Sequence, residues 1–476
     1  MLFNSFEFVV FLVVVFALYW GVFRHHARKQ TVLLLVASCV FYMFLIPQYI
    51  LILLITILID YFAGIYIARL EGSRRKALLI LSIVSTCLVL FVFKYFNFFI
   101  DNANAIAHFI GWNYQLSTLE IILPIGLSFH TFQSLSYVVE VYRRKQEPEP
   151  DFIVYSLYVM YFPQLVAGPI ERASNLLFQF HRKPEFNYSL AVEGLHQILW
   201  GMFKKVVIAD VCSVYVNHAF AHYDQLPGLA LLMGAIAFSF QIYGDFSGYS
   251  DIALGTSKLF GIRLMQNFNL PYFAMGIADF WRRWHISLST WFRDYIYFPL
   301  GGSRVKGWLL HRNVAVIFLL SGFWHGANWT YVVWGAIHAF FYSLTFILKS
   351  LGLAIEAKAV DPIWKRVSVG LCTFLVVTLA WVYFRANSIS EANGYLSAMW
   401  QAQFFGPMAY DFLKVLLLIV PFVIFEWINR HNENGILLFR QGISRHARFA
   451  IEMILVLLII DAYYTVDHSQ FIYFQF

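Results

Sequence analysis

The sequence predicts an all-helical, polytopic integral membrane protein with about ten transmembrane helices, plus helices that re-enter the membrane or lie in its interface. The first observation is composition: of the 476 residues, 60% are hydrophobic and only 13% are charged. Soluble domains are about 45–50% apolar and about 25% charged, so a soluble fold with this composition would leave apolar surface uncovered. The second observation is that the basic residues behind the net charge of +7 lie between long apolar blocks. This distribution is typical of loops between membrane spans and argues against nucleic-acid binding.

Ten apolar blocks approach the length of about 20 residues that a spanning helix requires. The predicted spans are 6–23, 31–46, 49–68, 77–100, 119–141, 193–219, 228–255, 367–385, 411–428 and 449–466. The first block has no basic stretch before it and no small-residue cleavage site, so we interpret it as a retained span rather than a signal peptide. Without an internal repeat or a soluble insertion, we predict one membrane-embedded domain, 1–476. Its motif-bearing core is 119–348, its C-terminal spans are 367–466, and an aromatic tail covers 467–476.

The distribution of Lys and Arg predicts the orientation of the chain. These residues follow the first, third and fifth predicted spans, at 24–29, 69–76 and 143–145, whereas the loop 101–118 after the fourth span contains neither. Because cytoplasmic loops are enriched in Lys and Arg, the basic loops are predicted to be cytoplasmic. Both chain termini are then extracytoplasmic.

Two stretches are not predicted to be simple spans. Residues 151–170 have basic residues on both sides, as if the chain enters and leaves by the same membrane face. Residues 276–312 are amphipathic, rich in Trp and Arg, and interrupted by the sequence PLGG. Irregular backbone at membrane depth is tolerated where protein or a water-filled cavity satisfies its polar groups, so both stretches are candidates to line a cavity. For 276–312, a helix lying in the membrane interface is an equally good interpretation.

The apolar segment 313–348 carries the strongest candidate for a catalytic residue. His325 lies in its middle, close to Gly322, Gly326 and Asn328. The segment is long enough to enter the membrane, break at these glycines and return, which would place His325 deep in the bilayer. Ionisable residues inside the membrane are costly and are functional by default. A core histidine is the ordinary alternative, but glycines allow close approach of a ligand and favour a functional site.

A second cluster combines Arg282, Arg283, His285, Arg293 and Asp294. Neighbouring residues point in different directions on an α-helix, so we expect Arg293 and Asp294 not to face one another, and the two earlier arginines to project toward different surfaces. One interpretation is a cytoplasmic mouth that attracts a polyanionic substrate, with the histidine pointing inward. The alternative is an interfacial anchor whose arginines contact lipid phosphates.

Other polar residues in the apolar blocks favour structural roles. Asp245 and Asp251 are accompanied by no histidine or third acid, so we expect them to pair with the arginines of 282–293 rather than to bind a metal. His338 lies on a clean apolar face and is interpreted as a core residue. The four cysteines are widely separated inside apolar segments, which predicts neither a disulfide framework nor a metal site.

Several motifs resemble the membrane-bound O-acyltransferase family. The strongest are FWRRWHISLSTWFRDYIY and, following it, FLLSGFWHGANWTYVVWG. The bacterial branch with alginate and peptidoglycan O-acetyltransferase membrane subunits, related to the teichoic-acid D-alanyl transfer subunit, is the most similar. The supporting motifs, in matching order, are LPIGLSFHTFQSLSYVVEVYR, PQLVAGPIER, GMFKKVVIAD and GDFSGYSDIALG. One departure is His130, where an aromatic residue is expected; it is assigned no role.

The resemblance implies helices around a central tunnel and transfer of an acetyl group from cytoplasmic acyl-CoA to a cell-envelope polysaccharide outside the bacterial inner membrane. It implies that His325 is catalytic and that His285 is the second site residue. The candidate substrate-binding residues are Trp324, Asn328, Arg282, Arg283, Arg293 and Asp294. Acetyl-CoA is expected as donor substrate, with no tightly bound cofactor or metal. The expected partners are membrane lipid, the polysaccharide acceptor and a separate extracytoplasmic acyltransferase of the SGNH type or similar, with no nucleic acid.

The chain ends in FIYFQF, which resembles the end of a small partner peptide in the D-alanylation system. By this resemblance, Tyr473 inserts from the outer side toward His325 and carries the acyl group. The alternative interpretation is an aromatic anchor at the membrane interface.

Three other functions remain open from the sequence. A lipid or protein acyltransferase would need a wide hydrophobic side entrance for a long chain. A D-alanyl export subunit would share the family motifs. A non-enzymatic transporter or scaffold is the third, although many transporters contain internal repeats and none is visible here.

Overall fold

The structure is a computed structural model that describes residues 1–44, 46–112, 114–166, 168–353, 356–358, 360–401, 403–406, 410–430, 444–466 and 471–472. All regular secondary structure in these ranges is helical. The α-helices, in chain order, are α1 Phe6–Ala17, α2 Ala27–Met43, α3 Ile50–Arg69, α4 Gly72–Leu90, α5 Phe96–Phe109, α6 Leu127–Tyr142, α7 Phe152–Met160, α8 Phe162–Leu165, α9 Ala173–His181, α10 Tyr188–Met202, α11 Asp210–Ala221, α12 Gly228–Leu259, α13 Ile277–Arg283, α14 Ile286–Phe292, α15 Trp308–His325, α16 Trp329–Ser350, α17 Ile363–Arg385, α18 Ile389–Gln401, α19 Tyr410–Ile428 and α20 Arg445–Thr465.

Short helical turns of other types interrupt or join these helices. Wider π-helical turns occur at Leu18–Val22, Phe91–Tyr95, Phe203–Ala209 and Arg293–Tyr297. Tighter 3₁₀ turns occur at Pro47–Tyr49, Pro271–Phe273 and Gly302–Arg304. The π-helical turns matter for the site because they rotate the side chains that follow away from the positions of a regular α-helix.

Five helical stretches among the described residues are long and apolar enough to cross a membrane. They are Pro47–Arg69, Gly72–Phe109, Gly228–Leu259, Trp329–Ser350 and Ile363–Arg385. Two shorter apolar stretches are Phe6–Val22 and Val415–Ile428. The all-helical membrane class is thereby confirmed, whereas the number of ten spans stays a prediction.

Three predicted segments depart from simple spans. The predicted span 119–141 becomes helical only at Leu127, because Pro124 lacks an N–H group and Gly126 has a left-handed backbone, with φ +78°. The predicted span 193–219 is broken by a π-helical turn. The stretch 151–170 forms the two short helices α7 and α8, as expected for a segment that is not a simple span.

The chain contacts define two compact units. Unit 1 comprises 1–195 and 253–265, and unit 2 comprises 196–252 and 266–476. One membrane-embedded domain over the whole chain stays a prediction.

In unit 1, polar bridges inside the apolar core join α3 to its neighbours. The Asp60 carboxylate of α3 accepts hydrogen bonds from the hydroxyls of Ser82, at 2.7 Å, and Thr86, at 3.1 Å, both on α4. Gly64 of α3 lies against the Tyr137 ring of α6, where a Cβ atom would be 2.7 Å from the ring. Small residues and hydroxyl bridges of this kind let helices associate where apolar burial alone gives no driving force.

In unit 2, α15 and α16 form a tightly packed helical hairpin. Gly322 lies against the backbone carbonyl of Tyr331, and Gly335 lies against that of Phe318, so a Cβ atom at either glycine would clash. The chain therefore runs along α15, reverses after His325 and returns along α16. The predicted break and return of the segment are present, with His325 at the tip of the hairpin.

A second close crossing in unit 2 joins α10 to α12. A Cβ atom on Gly201 would lie 2.6 Å from the Gly248 carbonyl oxygen, and one on Gly248 would lie 2.7 Å from the Gly201 carbonyl oxygen. The two glycines thus allow direct backbone contact. This crossing brings the π-helical turn after α10 beside the middle of α12.

The crossing explains the partners of the two acidic residues of α12. Asp251 forms an ion pair with Lys204, and Asp245 pairs with Lys205, whose Nζ is 2.8 Å from the carboxylate. The prediction that these aspartates pair with the arginines of 282–293 is therefore wrong. The π-helical turn Phe203–Ala209 directs the two consecutive lysines to the aspartates.

Candidate active site

Two buried histidines of unit 2 define the candidate site. The ring centroids of His285 and His325 are 6.3 Å apart, with an interplanar angle of 50°. Their residues are 0% and 3% exposed, respectively. The structure thus brings together two residues that are 40 positions apart in the sequence, in a place shielded from bulk water.

Aromatic side chains surround the histidine pair. The His325 ring centroid is 4.9 Å from Trp324, 5.3 Å from Trp334 and 5.3 Å from Phe384. The ring of Trp324 also lies 6.1 Å from that of His285, so this predicted site residue contacts both histidines. An apolar wall of this kind excludes water from the space around the two imidazoles.

His285 lies outside the five candidate spans, on the short connection between α13 and α14. Burial lowers the pKa of its imidazole to about 3, because water no longer solvates the charged form. At neutral pH, His285 therefore carries no charge and has one N–H donor and one acceptor nitrogen.

The backbone after His325 fixes its position. His325 is the last residue of α15, and Gly326 continues in an extended conformation. Asn328 then caps α16: its side-chain oxygen accepts a hydrogen bond from the N–H of Thr330 at 3.0 Å. Its amide nitrogen donates to the Asn387 carbonyl at 2.9 Å. In this structure both polar atoms of the Asn328 side chain hold the fold, while a role in substrate binding stays a prediction.

The glycines beside His325 serve helix packing. The expectation that they leave room for a ligand differs from the structure, because the Tyr331 ring fills the place that a Cβ atom of Gly326 would take. The carbonyl group of the same tyrosine contacts Gly322. A larger side chain at either position would force the hairpin apart.

His285 has a strained backbone that the sequence did not indicate. Its φ of +44° lies in the left-handed region, which costs a non-glycine residue on the order of 1–3 kcal/mol. Asn267 holds the chain in this conformation. Its carbonyl accepts from the N–H of Ile286 at 2.9 Å, and its side-chain oxygen accepts from the N–H and the hydroxyl of Ser287, at 3.3 and 2.9 Å. Asn267 is thus a positioning residue, and a buried Asn in a loop carries no periodic signal that would reveal it.

The predicted donor-binding arginines form ion pairs with nearby carboxylates. Arg282 and Arg283 both contact Asp279, at 3.4 and 3.0 Å. The expectation that they project toward different surfaces is wrong, because Asp279 lies three and four positions before them, within reach of both long side chains. One carboxylate shared by two guanidinium groups leaves an excess of positive charge at this end of α13.

Arg293 and Asp294 also form an ion pair, with 2.8 Å between Nε and the carboxylate oxygen. The expectation that these neighbours cannot face one another is wrong. It assumed a regular α-helix, whereas both residues lie in the π-helical turn Arg293–Tyr297, and the aliphatic part of the arginine side chain is flexible enough to fold back.

The remaining predicted site residue, Tyr473, lies outside the described residues. The two residues before it are described. Phe471 and Ile472 are 2% and 3% exposed, and the Phe471 ring centroid is 4.6 Å from that of Tyr249.

The interpretation of His338 as a core residue agrees with the structure, and His130, to which no role was assigned, also lies in a protein interior. His338 is fully buried, and its Nδ1 accepts a hydrogen bond from Trp281 Nε1 at 3.3 Å, as befits a core residue. His130 Nε2 lies 3.3 Å from the Thr56 hydroxyl in the interior of unit 1. Over the described part of the chain, no group of three or more His, Cys, Asp or Glu side chains is arranged to hold a metal ion.

The motifs that form this site belong to a known class of enzyme. Residues 73–386 match the model of the membrane-bound O-acyltransferase family. The chain therefore belongs to the membrane-bound O-acyltransferase family and is a membrane-embedded acyltransferase. The match confirms the family resemblance. It excludes the alternative of a non-enzymatic transporter or scaffold.

Three relatives indicate which members of the family this chain resembles. The chain is 39% identical over 404 residues to a Pseudomonas aeruginosa protein named "Probable alginate O-acetylase AlgI", a match that covers 84% of this chain and 75% of the relative. It is 36% identical over 393 residues to the peptidoglycan O-acetyltransferase of Helicobacter pylori, covering 77% and 73%. The teichoic acid D-alanyltransferase of Bacillus subtilis is 30% identical over 231 residues, which cover 46% of this chain and 58% of the relative.

Asn267→Ala tests how the strained histidine is held. The substitution leaves the buried N–H of Ser287 without its acceptor, which costs about 1–3 kcal/mol, so the protein should melt at a lower temperature and acyl transfer should decrease. Melting is measured by tryptophan fluorescence in detergent, and transfer by release of free thiol from the donor. Ser287→Ala, which removes only the hydroxyl, is the matched control and should have a smaller effect. Equal melting of Asn267→Ala and wild type would contradict the positioning role.

Proposed function

We propose that the protein transfers an acetyl group from cytoplasmic acetyl-CoA across the bacterial inner membrane for O-acetylation of a cell-envelope polysaccharide. The observation that supports this proposal most directly is the buried His285–His325 pair, with ring centroids 6.3 Å apart inside an aromatic wall. Relatives that cover more than three quarters of this chain are named as O-acetylases of alginate or an O-acetyltransferase of peptidoglycan, which supports this acceptor class.

The proposed arrangement has about ten spans around a central tunnel, with both termini outside the cytoplasm. The basic loops between the apolar blocks support this orientation. A tunnel allows a donor to reach the histidine pair from the cytoplasm while the acceptor reaches it from the other side. The helix breaks after His325 and on both sides of α14 supply irregular backbone of the kind that lines such a path.

His325 is the general base in this proposal. Its neutral imidazole accepts the proton of the acceptor hydroxyl as the oxygen attacks the thioester carbonyl carbon. The new C–O bond forms and the C–S bond breaks, and the departing thiolate takes the proton from the imidazolium to give free CoA. The N–H of neutral His285 stabilises the negative charge that develops on the carbonyl oxygen. Exclusion of water by the aromatic wall prevents hydrolysis of the thioester.

The arginines of 282–293 bind the phosphates of the donor in this proposal. The side chains of Arg282 and Arg293 are 67% and 52% exposed, so their remaining donor groups are accessible. Guanidinium groups bind phosphate with paired hydrogen bonds. Asp279 and Asp294 orient them, while Trp324 holds the histidine rings apart.

Tyr473 is the acyl carrier between the two membrane faces in this proposal. The phenol attacks the thioester under the action of His325, and the resulting aryl ester passes its acetyl group to an extracytoplasmic acyltransferase of the SGNH type or similar. A phenol has a pKa of about 10, lower than that of a sugar hydroxyl, so transfer from the aryl ester to a sugar hydroxyl runs downhill. The burial of Phe471 and Ile472 beside Phe246 and Tyr249 supports a seated tail over one that lies free in the membrane interface.

His325→Ala tests the catalytic assignment. Loss of the general base should lower acetyl transfer by at least about 100-fold, because proton transfer in the transition state contributes on that order. Acetylation of the polymer in cells and consumption of acetyl-CoA by the purified protein are both measured, with membrane level of the protein as the check on folding. His130→Phe, which replaces a buried histidine in unit 1, should retain activity within a few-fold. Full acetylation in His325→Ala would refute the assignment.

Tyr473→Phe tests the carrier. With radiolabelled acetyl-CoA, the wild type should retain label on its C-terminal peptide, whereas the variant should lose it because the ring no longer has a hydroxyl to acylate. Tyr464→Phe, an exposed tyrosine near the end of α20, is the matched control. Label that stays at the wild-type level in Tyr473→Phe would exclude the carrier role.

One observation favours a second candidate function, the transfer of a long acyl chain. An apolar cleft of about 350 Å³ in unit 2 is formed mainly by hydrophobic side chains, among them Phe240, Leu371, Phe374 and Trp427. For an acetyltransferase, Leu371→Trp should leave turnover unchanged and acetyl-CoA should be preferred to palmitoyl-CoA by the wild type. A preference for palmitoyl-CoA that the substitution abolishes would establish the second function. D-alanyl donors in the same assay test the export alternative.

A further inference from the structure

A buried group of charges lies where the C-terminal segment meets unit 2. The ammonium of Lys205 is 2.8 Å from a carboxylate oxygen of Asp210 and 2.8 Å from Oδ1 of Asp245. All three side chains are almost inaccessible to solvent. Buried charges are costly unless they are paired and hydrogen-bonded, so this arrangement holds the Asp245 carboxylate in a fixed orientation.

The second oxygen of Asp245 binds the C-terminal segment. The backbone N–H of Ile472 donates to Oδ2 at 2.6 Å, across 227 positions of sequence. A hydrogen bond from a neutral donor to a buried carboxylate is about twice as strong as one between neutral groups. This bond therefore attaches Ile472 to the middle of α12.

Aromatic contacts hold the C-terminal segment in addition to this hydrogen bond. The ring centroid of Phe471 is 4.6 Å from that of Tyr249 and 6.0 Å from that of Phe246. The Phe246 ring in turn lies 4.6 Å from His285, in an edge-on contact. Phe246 therefore contacts both Phe471 of the C-terminal segment and His285 of the site.

We propose that Asp245, Phe246 and Tyr249 form a binding seat for the C-terminal segment, in which Asp245 positions Tyr473 for acylation. This inference rests on the proposed function of Tyr473 as acyl carrier. Asp245 touches neither donor nor acceptor; it acts through the N–H of Ile472. Through this hydrogen bond, Asp245 is proposed to limit the movement of the residue that follows Ile472.

The seat itself is tested by the accessibility of residue 472, without reference to acylation. A cysteine at this position keeps the backbone N–H, and reaction of Ile472→Cys with a water-soluble maleimide in the full-length protein should be slow. Adding Asp245→Asn should speed labelling by about tenfold or more, because a charge-assisted bond is weakened. Peptide mass spectrometry separates this label from those on the four native cysteines.

Asp251→Asn is the matched control for a general effect of removing a carboxylate from α12. Asp251 pairs with Lys204 and accepts a hydrogen bond from Gln197 at 2.9 Å. Its removal should leave labelling of residue 472 unchanged. Labelling in Asp245→Asn that equals the parent rate, or that rises equally in Asp251→Asn, would overturn the seat.

The positioning role is tested by acetyl transfer to Tyr473. Asp245→Asn should lower kcat by about tenfold, with KM for acetyl-CoA unchanged, because the lost bond holds the carrier and not the donor. Ile472→Pro removes the donor N–H from the other side, and Ile472→Val keeps it. If both partners act through one hydrogen bond, the kcat of the double variant Asp245→Asn, Ile472→Pro should be no lower than the kcat of the less active single variant.

The outcomes separate this inference from the function on which it rests. Faster labelling of residue 472 together with lower acetylation of Tyr473 supports both. Faster labelling with no acetyl group found on Tyr473 even in the wild type would refute the carrier and the positioning role while the seat stands. Multiplicative losses in the double variant would refute the shared bond between Asp245 and Ile472.

Discussion

The cost of burying charge without a partner is the constraint on which unit 2 depends. Lys204 and Lys205 lie in the protein interior paired with Asp251 and Asp245 of α12, and backbone contact at the Gly201–Gly248 crossing brings these partners together. Asp210 is a second partner of Lys205. Once this crossing is formed, the rotation of α12 is fixed. Residue 246 then contacts His285, and the second carboxylate oxygen of residue 245 accepts a hydrogen bond from the N–H of Ile472. One packing contact between two glycines thus orients groups that serve the site.

The two histidines are positioned by different features of the backbone. His325 depends on a hairpin whose helices touch through glycines and whose second helix is capped by Asn328. His285 depends on a left-handed turn that Asn267 stabilises by three hydrogen bonds. A rigid aromatic wall then keeps both rings away from water. The site is thereby a water-poor pocket in which two imidazoles lie side by side.

Sequence reasoning predicted the features that depend on composition and chain continuity. The helical membrane class, the reversal after His325 and the broken segments 151–170 and 276–312 all follow from apolar length and from glycines or charges within it. It did not predict the pairs of Arg293 and of Lys204 and Lys205, because the rules for neighbours on a helix assume 3.6 residues per turn and fail at the π-helical turns. The pairs of Arg282 and Arg283 with Asp279 follow the regular spacing of three and four residues, which was not applied to them. Asn267 was missed for another reason: its partners lie 19 and 20 positions away, and only the tertiary fold brings them together.

A reactive group can move only as far as the chain allows from the nearest residue that is held in place. Each residue extends a chain by at most about 3.3–3.6 Å, so a residue directly after a bound amide has little freedom to move away. The bound amide here is that of Ile472, and its acceptor is held by Lys205. For the proposed acyl carrier, a short tether to this amide reduces the conformational entropy that is lost when its hydroxyl meets the thioester. In the proposed function, this links the buried charges of α12 to acyl transfer at the histidine pair.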